Sequence, residues 1–224
     1  GARGTADLDR ETIGGVLGAD FAVGDQAMVG IAGSYLETDV DARARNSSAK
    51  LKSWHVLGYA GIEFGGASLK LGGGYASASI DTDRTVAFPG ISQRLVAGYD
   101  GSVLHGFADL GYRLPLGTGH VEPFAQIVAV RADTDAFAET GGSAAVAGAK
   151  TDENATLSTL GARFSTGSAA RFAVGGLIGW QHGFGDLTPA TAMRFATGPG
   201  FTVIGTPRSR NAGVATIDAR LRLG

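Results

Sequence analysis

Apolar and polar positions alternate with a period of two along most of this chain, in about ten stretches of strand character. In Ile13 to Val23 one parity (Ile13, Gly15, Leu17, Ala19, Phe21, Val23) is almost wholly apolar and the other carries Asp20, the mark of a strand with one face in an apolar medium. The same pattern predicts strands over Ala27–Val40, Leu51–Phe64, Ser68–Ile80, Asp100–Leu114, Val121–Asp133, Asn154–Ser165, Arg171–Phe184 and Arg210–Leu223. The last alternates most cleanly, with Ala215, Ile217, Ala219, Leu221 and Leu223 against Asp218, Arg220 and Arg222. Three charges on one strand face need water or partners.

The connections alternate as well. Gly24–Gln26, Gly65–Ala67, Pro115–His120 and Thr166–Ala170 are short and carry turn residues, whereas Asp41–Lys50, Asp81–Gly98, Thr134–Glu153 and Gly185–Ser209 are longer, polar or rich in Gly and Pro. A β-sandwich also alternates faces, but nothing in its physics requires every second connection to be short. A barrel in an outer membrane does require it, with turns on the periplasmic side and loops outside. The expected fold is therefore all-β, an antiparallel up-and-down transmembrane β-barrel.

Composition sharpens this reading. Gly makes up 37 of 224 residues and Cys none, while the hydrophobic fraction of 44% is ordinary. So many glycines are costly in a soluble core but useful on a tightly coiled wall, where they leave room beside large side chains. The lack of Cys excludes disulfides and thiolate metal sites and fits an exported protein. A net charge of −2 gives no electrostatic reason to expect nucleic acid. Charges or glycines interrupt every apolar run before helix-spanning length. The start at Gly1, without initiator Met or signal peptide, predicts that the sequence is not a complete precursor.

Several segments carry a family resemblance: G-G-V-L-G-A-D-F at Gly14–Phe21, S-W-H-V-L-G-Y-A-G at Ser53–Gly61, and L-G-Y-R-L-P-L-G-T-G-H-V-E-P-F-A at Leu110–Ala125. Further on stand L-S-T-L-G-A-R-F at Leu157–Phe164, G-W-Q-H-G-F-G-D at Gly179–Asp186 and F-T-V-I-G-T-P at Phe201–Pro207. Together and in this order they resemble the autotransporter β-domain, the translocator of type V secretion. The resemblance implies one domain over residues 1–224, about ten of twelve barrel strands. A plug helix and the start of the first strand would lie upstream, and two closing strands downstream. Such a barrel, left incomplete, is expected to curl without closing. The resemblance further implies a bacterial outer-membrane location and export of an N-terminal passenger. The implied partners are outer-membrane lipids, the chain's own passenger and plug helix, and the barrel assembly machinery. A porin or surface-binding barrel without a passenger is the alternative, and a barrel enzyme a third.

The alternation assigns Asp20, Glu63, Lys70, Asp109, Arg113, Glu122, Gln126, Arg163, Asp218, Arg220 and Arg222 to the lumen. Two readings stay open: a wall for a plug helix or passing polypeptide, or polar groups satisfying one another in a wet interior. Trp54, Tyr112, Phe172, Trp180 and Phe184 fall on the apolar parity near strand ends, as an aromatic girdle or hairpin packing would place them. The pairs Asp39/Asp41, Asp81/Asp83 and Asp133/Asp135 invite hard cations but read better as solvated strand ends. There is no G-x-S-x-G, H-E-x-x-H or P-loop, and His55, His105, His120 and His182 are too scattered for local metal spacing. No catalytic residue, metal or cofactor is assigned.

Overall fold

The computed structural model describes residues 7–167, 172–185, 187–196 and 198–221. Its frame is a run of long antiparallel strands, each hydrogen-bonded to its neighbour in chain order. These are β1 (Asp9–Val23), β2 (Ala27–Ala42), β3 (Ser47–Phe64), β4 (Ala67–Phe88) and β5 (Ile91–Tyr112), then β7 (Gly119–Thr134), β10 (Thr151–Ser165), β11 (Phe172–Gly185) and β14 (Asn211–Leu221). The three-residue β6 (Leu114–Leu116) continues β5 in the same register against β7, Gly111 facing Phe124 and Leu114 facing Val121. The ladder to β7 is interrupted at Tyr112 and Arg113, which face Pro123 and Glu122, and Pro123 has no amide hydrogen to donate. Among the described residues β1 pairs only with β2 and β14 only with β11, so the sheet is not closed.

Directly opposed residues in an antiparallel pair share a face. Following the registers, Glu63, Ser68, Gly111, Phe124 and Gly161 form one row, and Lys70, Asp109, Gln126, Thr159 and Gln181 form the next. Ser68, Asp109, Glu122, Phe124 and Thr159 are all buried on this face, so the sheet curls with it inward. The other face is apolar and open: Leu17 is 85% exposed, Ile217 79% and Ile178 65%. Each aliphatic side chain left in water forgoes roughly 1.5–3 kcal/mol. A face this large and apolar is therefore built for hydrocarbon.

Glycines on the concave face receive rings from neighbouring strands. Tyr59 lies over Gly30 and Phe107 over Gly72, where any Cβ would overlap the ring. These pairs let large aromatics pack on a wall too tightly curved for two full side chains.

The two connection types differ from the expectation. The supposed Asp81–Gly98 loop is strand throughout except at Pro89-Gly90: β4 runs on to Phe88 and β5 starts at Ile91. Gly90 takes φ 90° in this turn, a left-handed conformation suited to Gly. The β2–β3 connection shrinks to Arg43–Asn46, one turn of 3-10 helix ending at left-handed Asn46. The Thr134–Glu153 and Gly185–Ser209 segments are not bare loops either. They contribute β8 (Phe137–Ala138), β9 (Val146–Gly148), β12 (Ala190–Phe195) and β13 (Gly200–Ile204) to a second sheet of order β13-β12-β9-β8. This small sheet covers the mouth of the concave face, at the end opposite the short turns. Phe137 stacks on Tyr99 at 4.9 Å, and Thr140 pairs with Val96 through the backbone. A cavity of 420 Å³ lined by Tyr99, Phe137, Val146 and Met193 remains beneath it.

Candidate functional site: the lumenal wall

The concave face gathers six of the residues singled out by alternation into one network. Asp109 and Glu122 are 2% and 4% exposed, and Arg163 reaches both from β10. Its Nη1 donates to Asp109 Oδ1 at 3.1 Å and to Glu122 Oε1 at 2.8 Å, while Nη2 pairs with Asp109 Oδ2. Gln126 donates to Asp109 at 3.1 Å, and Arg113 lies 3.8 Å from Glu122 and 3.6 Å from Glu63. The Arg163 guanidinium also sits 3.8 Å above the Phe124 ring. Planar and permanently charged, a guanidinium can serve two carboxylates and an aromatic face together. Three adjacent strands put these groups at one level because Glu122 faces Arg163 and Asp109 faces Gln126.

The other predicted lumenal residues share the face but stand apart. Lys70 lies opposite Asp109 in the ladder. Asp20 accepts a hydrogen bond from the Tyr59 hydroxyl across Gly30. Asp218 lies over Gly175, and Arg220 faces Ala173 on the β14 edge. Arg222 falls outside the described residues.

Sequence reasoning missed several members of this wall. Phe124 sits between Glu122 and Gln126 on the polar parity, the signal that it points inward, and Tyr59 shares a parity with Glu63. The Ser68 hydroxyl is buried beside Glu122, over Gly111, with no hydrogen-bond partner among the described residues. His55 and His105, too far apart in sequence to be linked by spacing, meet across Gly74 with ring centroids 5.0 Å apart.

Trp54, Tyr112, Phe172, Trp180 and Phe184 all lie on the convex face, each between 46% and 59% exposed. Tyr112 and Phe172 are at the short-turn end. Trp54 is mid-strand, because β3 begins at Ser47 and the wall continues beyond it. Tyr35 lies opposite Trp54, and Tyr75 packs on it at 5.5 Å. The paired aspartates sit farther toward the mouth with cations at hand: Asp39 with Lys50 at 3.3 Å, Asp83 with Arg94, Asp133 with Arg131 at 3.0 Å and Asp135 with Lys150 at 3.8 Å.

At the mouth Arg84 grips Glu139, Nε to Oε1 and Nη2 to Oε2, both 2.6 Å. The Val146 amide donates to the same carboxylate at 2.9 Å. Burial pushes the Glu139 carboxyl up, but the hydrogen bonds from Arg84 and Val146 and the Arg84 charge outweigh it, holding the group below its ordinary value.

An inward-curled antiparallel sheet with an apolar exterior, charged interior and aromatic residues on its outer face is the wall of an outer-membrane β-barrel. The chain belongs to the family described as Autotransporter beta-domain, whose profile matches residues 1–224. It is thus a translocator barrel domain of the outer membrane of Gram-negative bacteria. An extracellular serine protease of Serratia marcescens is 32% identical over 207 residues, 91% of this chain and 20% of the relative. A second Serratia protein of the same description is 30% identical over the same shares. The chain therefore spans about a fifth of the length of the curated relatives it matches. Among solved structures, the translocator domain of autotransporter NalP from Neisseria meningitidis superposes with TM-score 0.67 at 13% identity, covering 95% of this chain and 80% of that one. The β-domain of the Bordetella autotransporter BrkA gives 0.54 at 21% identity, covering 96% and 88%. These structures show the likeness of fold.

Proposed function

We propose that this wall carries an N-terminal passenger to the cell surface, and that the Arg163–Asp109–Glu122 network is the lumenal surface against which a plug helix or the passing polypeptide rests. The observation behind this reading is the inner face itself, with buried carboxylates held by one guanidinium and flanked by water-open Lys70, Glu63 and Arg113. Such a wall presents hydrogen-bond donors and acceptors to a chain resting on it. Any proteolytic activity like that named for the Serratia relatives belongs to a passenger and not to this wall.

The convex face takes outer-membrane lipid. From Trp54 to Phe64 on β3 is ten residues, roughly 33 Å along the strand and about 25 Å along the barrel axis at the usual tilt, the height of an outer-membrane apolar band. Tyr35, Trp54 and Tyr75 thus form one girdle, with Trp180 and Phe184 continuing it, and Tyr112, Phe172 and Phe64 form the other. Folding into the membrane is the work of the barrel assembly machinery.

The test is surface display in cells making the full-length protein. Antibody or added protease should reach the passenger on intact cells when residues 1–224 are present, and the passenger should stay periplasmic when they are deleted. A passenger that reaches the surface without them would refute the reading.

A further inference from the structure

His55 on β3 and His105 on β5 stand two strands apart, about 9.6 Å at two inter-strand spacings, yet their rings approach to 5.0 Å between centroids, 32° from parallel. They meet because the strand between them offers no side chain there. A Cβ on Gly74 would come within 2.9 Å of His105 Cε1 and 3.0 Å of His55 Nε2, so both imidazoles lean over the same bare spot of backbone. Registers put both on the concave face, His55 opposite Ala76 and His105 opposite Gly74, beside Leu57 and Val103. Neither ring hydrogen-bonds to any group among the described residues.

We infer that His55 and His105 form a two-imidazole site for a borderline first-row divalent cation of the Cu²⁺ and Zn²⁺ class, with water filling the remaining positions from the lumen. The geometry fits. With metal–nitrogen bonds of about 2.0–2.1 Å, each ring centre stands roughly 3.2 Å from the ion, so bond angles of about 90–110° put the centres about 4.5–5.2 Å apart. The donors fit too, since neutral imidazole suits Cu²⁺ and Zn²⁺, whereas Ca²⁺ and Mg²⁺ want oxygen ligands. No third His, Cys, Asp or Glu joins the pair among the described residues, which leaves the site open to solvent or to a donor on a polypeptide in the lumen. A bound ion would tie β3 to β5 across β4, raising the unfolding temperature of the barrel. This inference stands apart from the export reading, because it concerns two side chains and a metal whatever passes through the lumen.

The test uses Cu²⁺ alone, titrated into the intact protein in detergent and followed by calorimetry and electron paramagnetic resonance. Wild type should take up one more equivalent than the His55→Asn/His105→Asn double variant, with a spectrum showing two equatorial nitrogens. Each single variant should bind at that site at least about tenfold more weakly. Equal stoichiometry and affinity in wild type and double variant would overturn the inference, as would full retention of the site in either single variant. A second measurement needs no variant. Zn²⁺ should shield His55 and His105 of the wild-type protein from carbethoxylation while leaving His182, on the convex face, unaffected. Equal modification of the pair with and without Zn²⁺ would also overturn it.

Discussion

Two buried ion-pair clusters occupy the concave side of this sheet, and they hold different things. In the wall, Arg163 joins Asp109 and Glu122 on strands that continuous ladders already lock together. Those ions are not needed to set register; each removes the cost of burying the other. At the mouth, Arg84 holds Glu139 on a segment joined to the wall by little backbone pairing, chiefly Thr140 with Val96. There the ion pair carries much of the docking. The same chemistry therefore solvates a lumen in one place and fastens a cover in the other.

The largest expected effect tests the wall. Arg163→Ala strands two nearly inaccessible carboxylates, and loss of one partner in such a cluster costs about 3–5 kcal/mol. The urea midpoint of the folded barrel should fall accordingly. Replacing the whole cluster (Arg163→Met with Asp109→Asn and Glu122→Gln) should recover most of that loss. If it does not, the wall ions do more than solvate one another. Glu139→Gln should cost less, about 1–3 kcal/mol, and only locally. Protease sensitivity should rise in segments 135–150 and 187–209, while amide exchange in β3, β4, β5, β7 and β10 of the wall stays unchanged. Global destabilisation would erase the distinction between wall and mouth.

Acid gives a gentler probe of the same contrast. The Glu139 carboxyl titrates below its unfolded value, so its contribution is fully present above the ordinary carboxylate range and lost as pH falls through the lowered value. Acidification below about pH 4 should loosen the small sheet, measured by exchange at Val146, and Glu139→Gln should remove this dependence. The smallest effect belongs to the solvent-exposed Asp83–Arg94 pair. Arg94→Ala should leave unfolding indistinguishable from wild type, because water screens such pairs.

The wall was legible from the sequence because one side of each strand faces hydrocarbon, which forces the period-2 pattern and fixes the parity of Asp109, Glu122 and Arg163 together. Beyond the membrane that pressure ends. Thr82, Arg84 and Val86 still alternate with Asp83 and Thr85, but all are tolerated in water, so the extension of β4 read as loop. The small sheet was hidden for a related reason: Ala190–Phe195 and Gly200–Ile204 are too short to show a period between Pro and Gly residues. The meeting of His55 and His105 depended on something no linear spacing contains, the registers of two ladders and the bare Gly74 between them.

The rings seated over glycines give the wall a vernier. Alternation forbids a strand to slip by one residue, since every side chain would change faces, but a slip of two preserves the pattern perfectly. Only a finer mark can detect it. Moving Tyr59 two places along β2 would bring it against Met28 or Ala32 in place of Gly30, and moving Phe107 one way along β4 would set it against Lys70. The Gly30 notch admits its ring at one setting and the Gly72 notch bars a slip toward Lys70, so the assembled wall can tell a correct alignment from a polarity-preserving counterfeit.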